Sequence, residues 1–240
     1  MSINPQDNHL LETIKSVFVP LHPAGYPFIA VFAVVALVLA LLSSFLGWIG
    51  LILTVWCIYF FRNPNRITPI REGLIISPAD GVVQSINKVI PPKELNLGES
   101  ELTRISIFMN VFDVHVNRIP ITGSISKIHY KAGKFFNASL DKASEENEQN
   151  MIKITTPENI EIGMVQIAGL VARRILCDLK LEQPVKTGEQ FGIIRFGSRV
   201  DIYLPPEIST LVMVGQKAIG GETVLADIAG SEPSRVGTKY

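Results

Sequence analysis

The stretch QFGIIRFGSRVDIYLP, Gln190 to Pro205, sets the fold class. Two short runs rich in Ile, Val, Phe and Tyr flank a small break at Phe196-Gly197-Ser198, and Pro205 closes the second run. This is the pattern of consecutive β-strands bounded by turn residues. A glycine at 197 tolerates backbone angles barred to other residues, so the break can hold a geometry that a side chain would forbid.

The same texture extends outward through LIISPADGVVQSI, TRISIFMNVFDVHVNRIP, GSISKIHY, NIEIGMVQIAGLVARRIL and TLVMV, all after Arg71. Residues 63–240 are therefore expected to form a mainly β domain. The polar stretch NASLDKASEENEQN, Asn137 to Asn150, reads as a surface loop or short helix. PVKTGEQFGII, Pro184 to Ile194, echoes QKAIGGETVLADI, Gln216 to Ile228, with Gly188-Glu189 and Gly221-Glu222 in matching places. That pattern, like SPADGVV, resembles the hairpins of biotinyl and lipoyl carrier domains. A carrier presents a modifiable Lys beside Met at a hairpin tip, and no Met-Lys pair is present. The expectation is a β-sandwich with biotinyl/lipoyl-like hairpins, not a modified carrier.

Upstream lies PFIAVFAVVALVLALLSSFLGWIGLILTVWCIYFF, Pro27 to Phe61, 35 residues without a charge. One span needs about 20 apolar residues to cross ~30 Å of hydrocarbon, so the run is too long for one span and slightly short for two. Ser43, Ser44, Gly47 and Gly50 divide it, which predicts an N-terminal apolar helical hairpin within residues 1–62. Trp48, Trp56 and Tyr59 suit interfacial depths. A signal peptide would have an apolar core of only about 7–15 residues before its cleavage site, whereas here a second apolar run follows. Arg62, Arg66 and Arg71 follow the run, Lys15 precedes it, and its middle holds no charge. Both ends are expected on the cytoplasmic side of the cell membrane, with the arginines near anionic headgroups.

Composition excludes other classes. With 22 Lys+Arg against 22 Asp+Glu and no basic run, nucleic acid is not an expected partner. Two cysteines make no disulfide framework and point to a reducing compartment. The four histidines lie at no ligand spacing with another His or Cys, so no metal is expected.

Gly197-Ser198 is the sharpest candidate for chemistry. A Ser hydroxyl there can approach the carbonyl before it; attack converts the peptide bond to an ester, β-elimination cleaves it, and hydrolysis leaves a pyruvoyl group. Taken alone the dipeptide is an ordinary turn. Ser198 also lacks the G-x-S-x-G and S-x-x-K settings of the hydrolase templates. His115, in VFDVHVNRIP, is a candidate base, or else a packed histidine between Val114 and Val116. Asp80, in SPADG, is a candidate orienting carboxylate, or else a turn residue. If the three meet, Asp80 holds the imidazole tautomer, His115 takes the hydroxyl proton and Ser198 attacks.

Eight stretches in order carry a family resemblance: HPAGYPFI, FFRNP, SPADGVV, FMNVFDVHVNRIP, KASEENE, VQIAGLVARRI, FGIIRFGSRVDIYLP and GQKAIGGETVLA. The chain resembles phosphatidylserine decarboxylase proenzymes of the compact bacterial branch. The resemblance implies self-cleavage between Gly197 and Ser198 into β and α chains, and a pyruvoyl group made from Ser198 with no external cofactor. It places Asp80 as charge-relay carboxylate and His115 as active-site histidine. It further implies a Schiff base with the serine headgroup of phosphatidylserine, loss of carbon dioxide and release of the ethanolamine lipid. Membrane lipid is then a second partner, and a homodimer is left open. Longer relatives carry a second histidine three residues on, where this chain has Arg118. The competing readings are a soluble pyruvoyl-dependent amino-acid decarboxylase, disfavoured by the apolar run, and a membrane-anchored β-sandwich adaptor.

Overall fold

The computed structural model describes residues 19–133, 147–169, 174–195 and 197–238. Of the polar stretch Asn137 to Asn150, residues 137–146 lie outside the described residues, as does Phe196. The chain divides into two compact units, Met1–Asn65 and Arg66–Tyr240.

In the first unit, helices α1 (Tyr26–Leu42) and α2 (Ser44–Phe60) each run 17 residues. The break between them is Ser43 alone, which is extended. Gly47 and Gly50, expected as part of the division, lie inside α2 and do a different job. A Cβ at Gly47 would stand 2.7 Å from the Ala40 Cβ, and one at Gly50 2.6 Å from the Ala36 Cα. Small residues here let two apolar helices approach closely, as they do where no water drives helix association. The open ends are clasped by a bridge between Leu21 and Arg62 and by the His22 amide donating to the Phe61 carbonyl at 2.8 Å. No residue of α1 is buried, and Leu41 and Leu42 are 81% and 73% exposed. The helical stretch Pro23–Leu42 is long and apolar enough to cross a membrane, whereas α2 is shorter.

The second unit contains β1 (Leu74–Ile76), β2 (Gly81–Val89), β3 (Leu102–Met109), β4 (Val116–Arg118), β5 (Gly123–Lys131), β6 (Gln149–Thr155), β7 (Glu161–Ala168), β8 (Ile175–Cys177), β9 (Pro184–Val185), β10 (Gln190–Ile194), β11 (Ser198–Leu204), β12 (Lys217–Ala218) and β13 (Val224–Asp227). Eight of them form one antiparallel sheet in the order β12-β2-β3-β11-β7-β6-β5-β9, β4-β10-β8 form a second, and β1-β13 a ribbon. The fold is mainly β with N-terminal apolar helices. Strand β11 lies inside the large sheet between β3 and β7.

Alternation along β11 sends Val200, Ile202 and Leu204 into the main core with Ile105, Ile107 and Met164. Arg199, Asp201 and Tyr203 take the other face and are also buried. Ser198 shares the parity of Val200, so its side chain ends the core-facing row. The internal echo is structural. Gly188 and Gly221 both adopt the left-handed conformation, with φ of 85° and 83°, and their amides donate to the Ile119 and Ser77 carbonyls at 2.8 Å each.

Candidate active site

The site is built where β10 gives way to β11. Gly197 has a φ of +75°, which only glycine adopts without strain, and this aims its amide and carbonyl at separate partners. Its N–H donates to Nε2 of His115 at 3.2 Å, and its carbonyl accepts from the Gly169 N–H at 3.0 Å. Ser198 is fully buried, paired across the sheet with Met109 and Ala168, and its Oγ lies 3.9 Å from the Met109 sulfur.

His115 arrives there through a side-chain-locked turn. The Asn110 amide donates to the Asp113 carboxylate at 3.0 Å, and the Phe112 amide to the Asn110 side chain at 2.8 Å. The chain then enters β4, whose Val116 pairs with Ile193 of β10, and the Ile194 amide donates to the His115 carbonyl at 3.3 Å. The imidazole is fully buried. Its tautomer follows from its neighbours. A backbone N–H can only donate, so Nε2 is the lone-pair nitrogen and Nδ1 carries the proton, which it gives to the Asp113 carbonyl at 2.9 Å.

The structure thus brings Gly197, Ser198 and His115 together. Asp80 is held by other means: Oδ2 pairs with the Arg66 guanidinium at 2.7 Å and Oδ1 accepts from the Gly220 amide at 2.8 Å. The Nδ1 contact expected of Asp80 is made here by the Asp113 main chain. The Asp80-Gly81 pair has a steric reason, since a Cβ at Gly81 would stand 2.2 Å from the Phe108 carbonyl oxygen. The turn carrying Asp80 runs beside β4, with the Arg118 amide donating to the Pro78 carbonyl at 2.9 Å.

Two of the three arginines expected at lipid headgroups are engaged within the β unit: Arg66 with Asp80, and Arg71 with Asp227. Arg62 lies over the Tyr59 ring, 3.8 Å from its centroid.

Residues two apart on β4 share a face, which groups Asn117 with His115 and leaves Arg118 on the other side. Asn117 accepts from Gln166 at 2.8 Å, and Asn150 donates to Gln166 at 2.8 Å, so a buried amide chain lines the core beside Met109. Arg118 instead donates to the Gly188 carbonyl at 2.9 Å. Burial and the neighbouring Arg66 lower its pKa, against the opposing pull of Asp80 and Glu222.

Gly169, Asn117 and Gln166 were not singled out from the sequence. Asn117 could have been, from its period-two relation to His115; the other two carry no signal of their own. Among the described residues no group of three His, Cys, Asp or Glu is placed to hold a metal.

The family model described as phosphatidylserine decarboxylase matches residues 53–226. A curated protein of Cereibacter sphaeroides named phosphatidylserine decarboxylase proenzyme is 55% identical over 227 residues, covering 95% of this chain and 98% of that protein. Both matches run through the Gly197-Ser198 linkage and the His115 turn, and on them the chain belongs to the phosphatidylserine decarboxylase family.

Proposed function

We propose that the protein converts phosphatidylserine to phosphatidylethanolamine in phospholipid biosynthesis, using a pyruvoyl group made from Ser198 by self-cleavage of the Gly197-Ser198 linkage. The setting of that one peptide bond carries the reading. Its carbonyl already accepts a hydrogen bond, a basic nitrogen sits at the adjoining amide, and the hydroxyl is shielded from water.

In maturation, Ser198 Oγ attacks the Gly197 carbonyl carbon. The proton passes to Nε2 of His115 and on to the Ser198 nitrogen, and the C–N bond breaks as the ester forms. Charge building on the Gly197 oxygen meets the Gly169 N–H, a donor of a kind worth about 10²–10³ in rate. Loss of the Ser198 α-proton and departure of the Gly197 carboxylate leave dehydroalanine, whose hydrolysis releases ammonia and leaves the ketone. The products are a β chain ending at Gly197 and an α chain beginning at position 198.

The pyruvoyl ketone supplies an electron sink for the substrate amine, so the chemistry calls for no external cofactor. Once Gly197 is a chain end it is free to leave Nε2, and His115 can then hold the proton that replaces carbon dioxide. With Arg118 on the far face of β4, His115 serves both maturation and turnover. Asp80, fixed by Arg66 and the Gly220 amide, acts on the imidazolium through its charge.

The apolar hairpin supports a membrane location, with the β unit on the cytoplasmic face. A lipid's chains stay in the bilayer while its headgroup lies at the interface, so an enzyme acting on that headgroup gains by being held there.

The test is a denaturing gel of purified protein. Wild type should give two chains, the smaller blocked at its amino terminus by a ketone. Ser198→Ala should remain one inactive chain. An active, uncleaved Ser198→Ala protein would overturn the assignment.

A further inference from the structure

Ser198 ends the core-facing row of β11 directly opposite Met109 of β3, and both side chains are fully buried. A serine hydroxyl has one proton to give, and Ser198 gives it to the Met109 sulfur at 3.9 Å. The lone pair of His115 Nε2 meanwhile accepts from the Gly197 amide at 3.2 Å. Nucleophile and base are thus each engaged with a third group, and the hydroxyl must leave its sulfur before it can attack.

The same sulfur faces a second donor. Asn117 Nδ2 lies 3.8 Å from it and 3.5 Å from the Pro78 carbonyl. Neighbouring amides fix that orientation: the Asn117 oxygen accepts from Gln166 Nε2 at 2.8 Å, and the Gln166 oxygen accepts from Asn150 Nδ2 at 2.8 Å. All three amides are at most 3% exposed. Two buried donors therefore converge on position 109, where the fold puts a thioether, a weak acceptor. An amide oxygen there would satisfy both far better.

The chemistry at Ser198 gives the weak acceptor a use. For self-cleavage the hydroxyl rotates about χ1 from the sulfur toward the Gly197 carbonyl carbon, and whatever stabilises the waiting rotamer alone adds to the barrier. The oxygen then departs with the Gly197 carboxylate, and Cβ ends as the methyl of the pyruvoyl group. A strong acceptor would be left buried and unsatisfied against that methyl, whereas a thioether packs on hydroxyl and methyl alike. We propose that Met109 is a positioning residue for maturation, an inference that rests on Ser198 as the reacting position. Its sulfur holds the hydroxyl weakly beside the Gly197 linkage, and afterwards forms the apolar wall of the pyruvoyl methyl.

The experiment follows self-cleavage of the newly synthesised full chain on a denaturing gel. Met109→Leu conserves volume and removes the acceptor, so the waiting hydroxyl loses its partner and cleavage should quicken about threefold. Met109→Gln offers both donors an oxygen, and cleavage should slow about tenfold, the equivalent of ~1.4 kcal/mol. Met164→Leu makes the same swap in the same core layer, opposite Ile202, and should leave the rate at the wild-type value. A purely structural role for Met109 would not make cleavage faster. Met109→Leu that slows cleavage or leaves it unchanged, Met164→Leu that quickens it equally, or Met109→Gln that cleaves at the wild-type rate would overturn the proposal. Should Met109→Gln not fold, the two leucine variants decide by themselves. A wild-type chain that stays whole would remove the Ser198 reading itself, whereas a cleaved wild type with no gain in Met109→Leu strikes only the role of Met109.

Discussion

The two units handle polarity in opposite ways. In the helical hairpin, Leu41 and Leu42 are 81% and 73% exposed, and α1 buries nothing. In the β unit, charged Arg199 and Asp201 are only 2% and 0% exposed, with the Arg199 Nη2 donating to Asp201 at 2.9 Å. A water-soluble fold seldom leaves so continuous an apolar surface exposed, and seldom buries a charge without a partner. The contrast indicates two solvents. The hairpin is shaped for hydrocarbon, with glycine-to-alanine contacts holding its helices together. The β unit is shaped for water outside, and it accepts a buried ion pair in the strand that begins at Ser198.

The contrast can be broken most sharply at His115. His115→Ala should slow self-cleavage by about 10²–10⁴, the usual worth of general acid–base help, while leaving the hairpin's membrane partition untouched. The rate is read as intact chain remaining on a gel over time, and cleavage at the wild-type rate would remove His115 from the mechanism. Asp80→Asn should slow cleavage less, because it leaves the Nδ1 partner of His115, the Asp113 carbonyl, in place.

Next in size is the buried pair. Asp201→Ala, in a Ser198→Ala chain to keep one polypeptide, should cost about 3–5 kcal/mol, because Arg199 is left charged in the interior. Urea unfolding in detergent measures it as a shift in midpoint. Glu232→Gln breaks the exposed Arg235–Glu232 pair and should leave the midpoint where it was. Comparable shifts for both would mean that burial does not set the difference.

For the hairpin, Leu37→Lys places a charge on an exposed position of α1. It should cost about 2.5–3.5 kcal/mol of membrane insertion if the helix crosses hydrocarbon, seen as lost vesicle flotation with self-cleavage retained. Unchanged flotation would make the hairpin a protein-contact element. The smallest effect is expected at Cys177, where burial pushes the thiol pKa up. A raised thiol pKa means less thiolate at neutral pH, so alkylation should be slow, and should quicken only as the pH is raised toward that pKa.

The hairpin was legible because its signal is compositional: 35 uncharged residues announce it whatever the tertiary context. Its turn was less so. Glycine marks both turns and close helix contacts, and only the positions of Ala36 and Ala40 show that Gly47 and Gly50 are contacts. The strands of the β unit were legible from β-branched runs and turn residues, and so was the repeated Gly-Glu turn. The order β12-β2-β3-β11-β7-β6-β5-β9 was not, since pairing depends on side chains far apart in sequence.

The sequence by itself determined the class of each unit, and it named Gly197-Ser198 and His115 as candidates for the chemistry. These are properties of residue type and local spacing. Only the tertiary structure decided that Gly169 donates to the Gly197 carbonyl, that the Asp113 carbonyl fixes the His115 tautomer, and that Asp80 is bound by Arg66 and Gly220. Two of these contacts are donated by main-chain amides, and one is accepted by a main-chain carbonyl. Every residue type except proline offers both groups, so their roles are assigned by where the fold places them and leave no mark in the side-chain sequence.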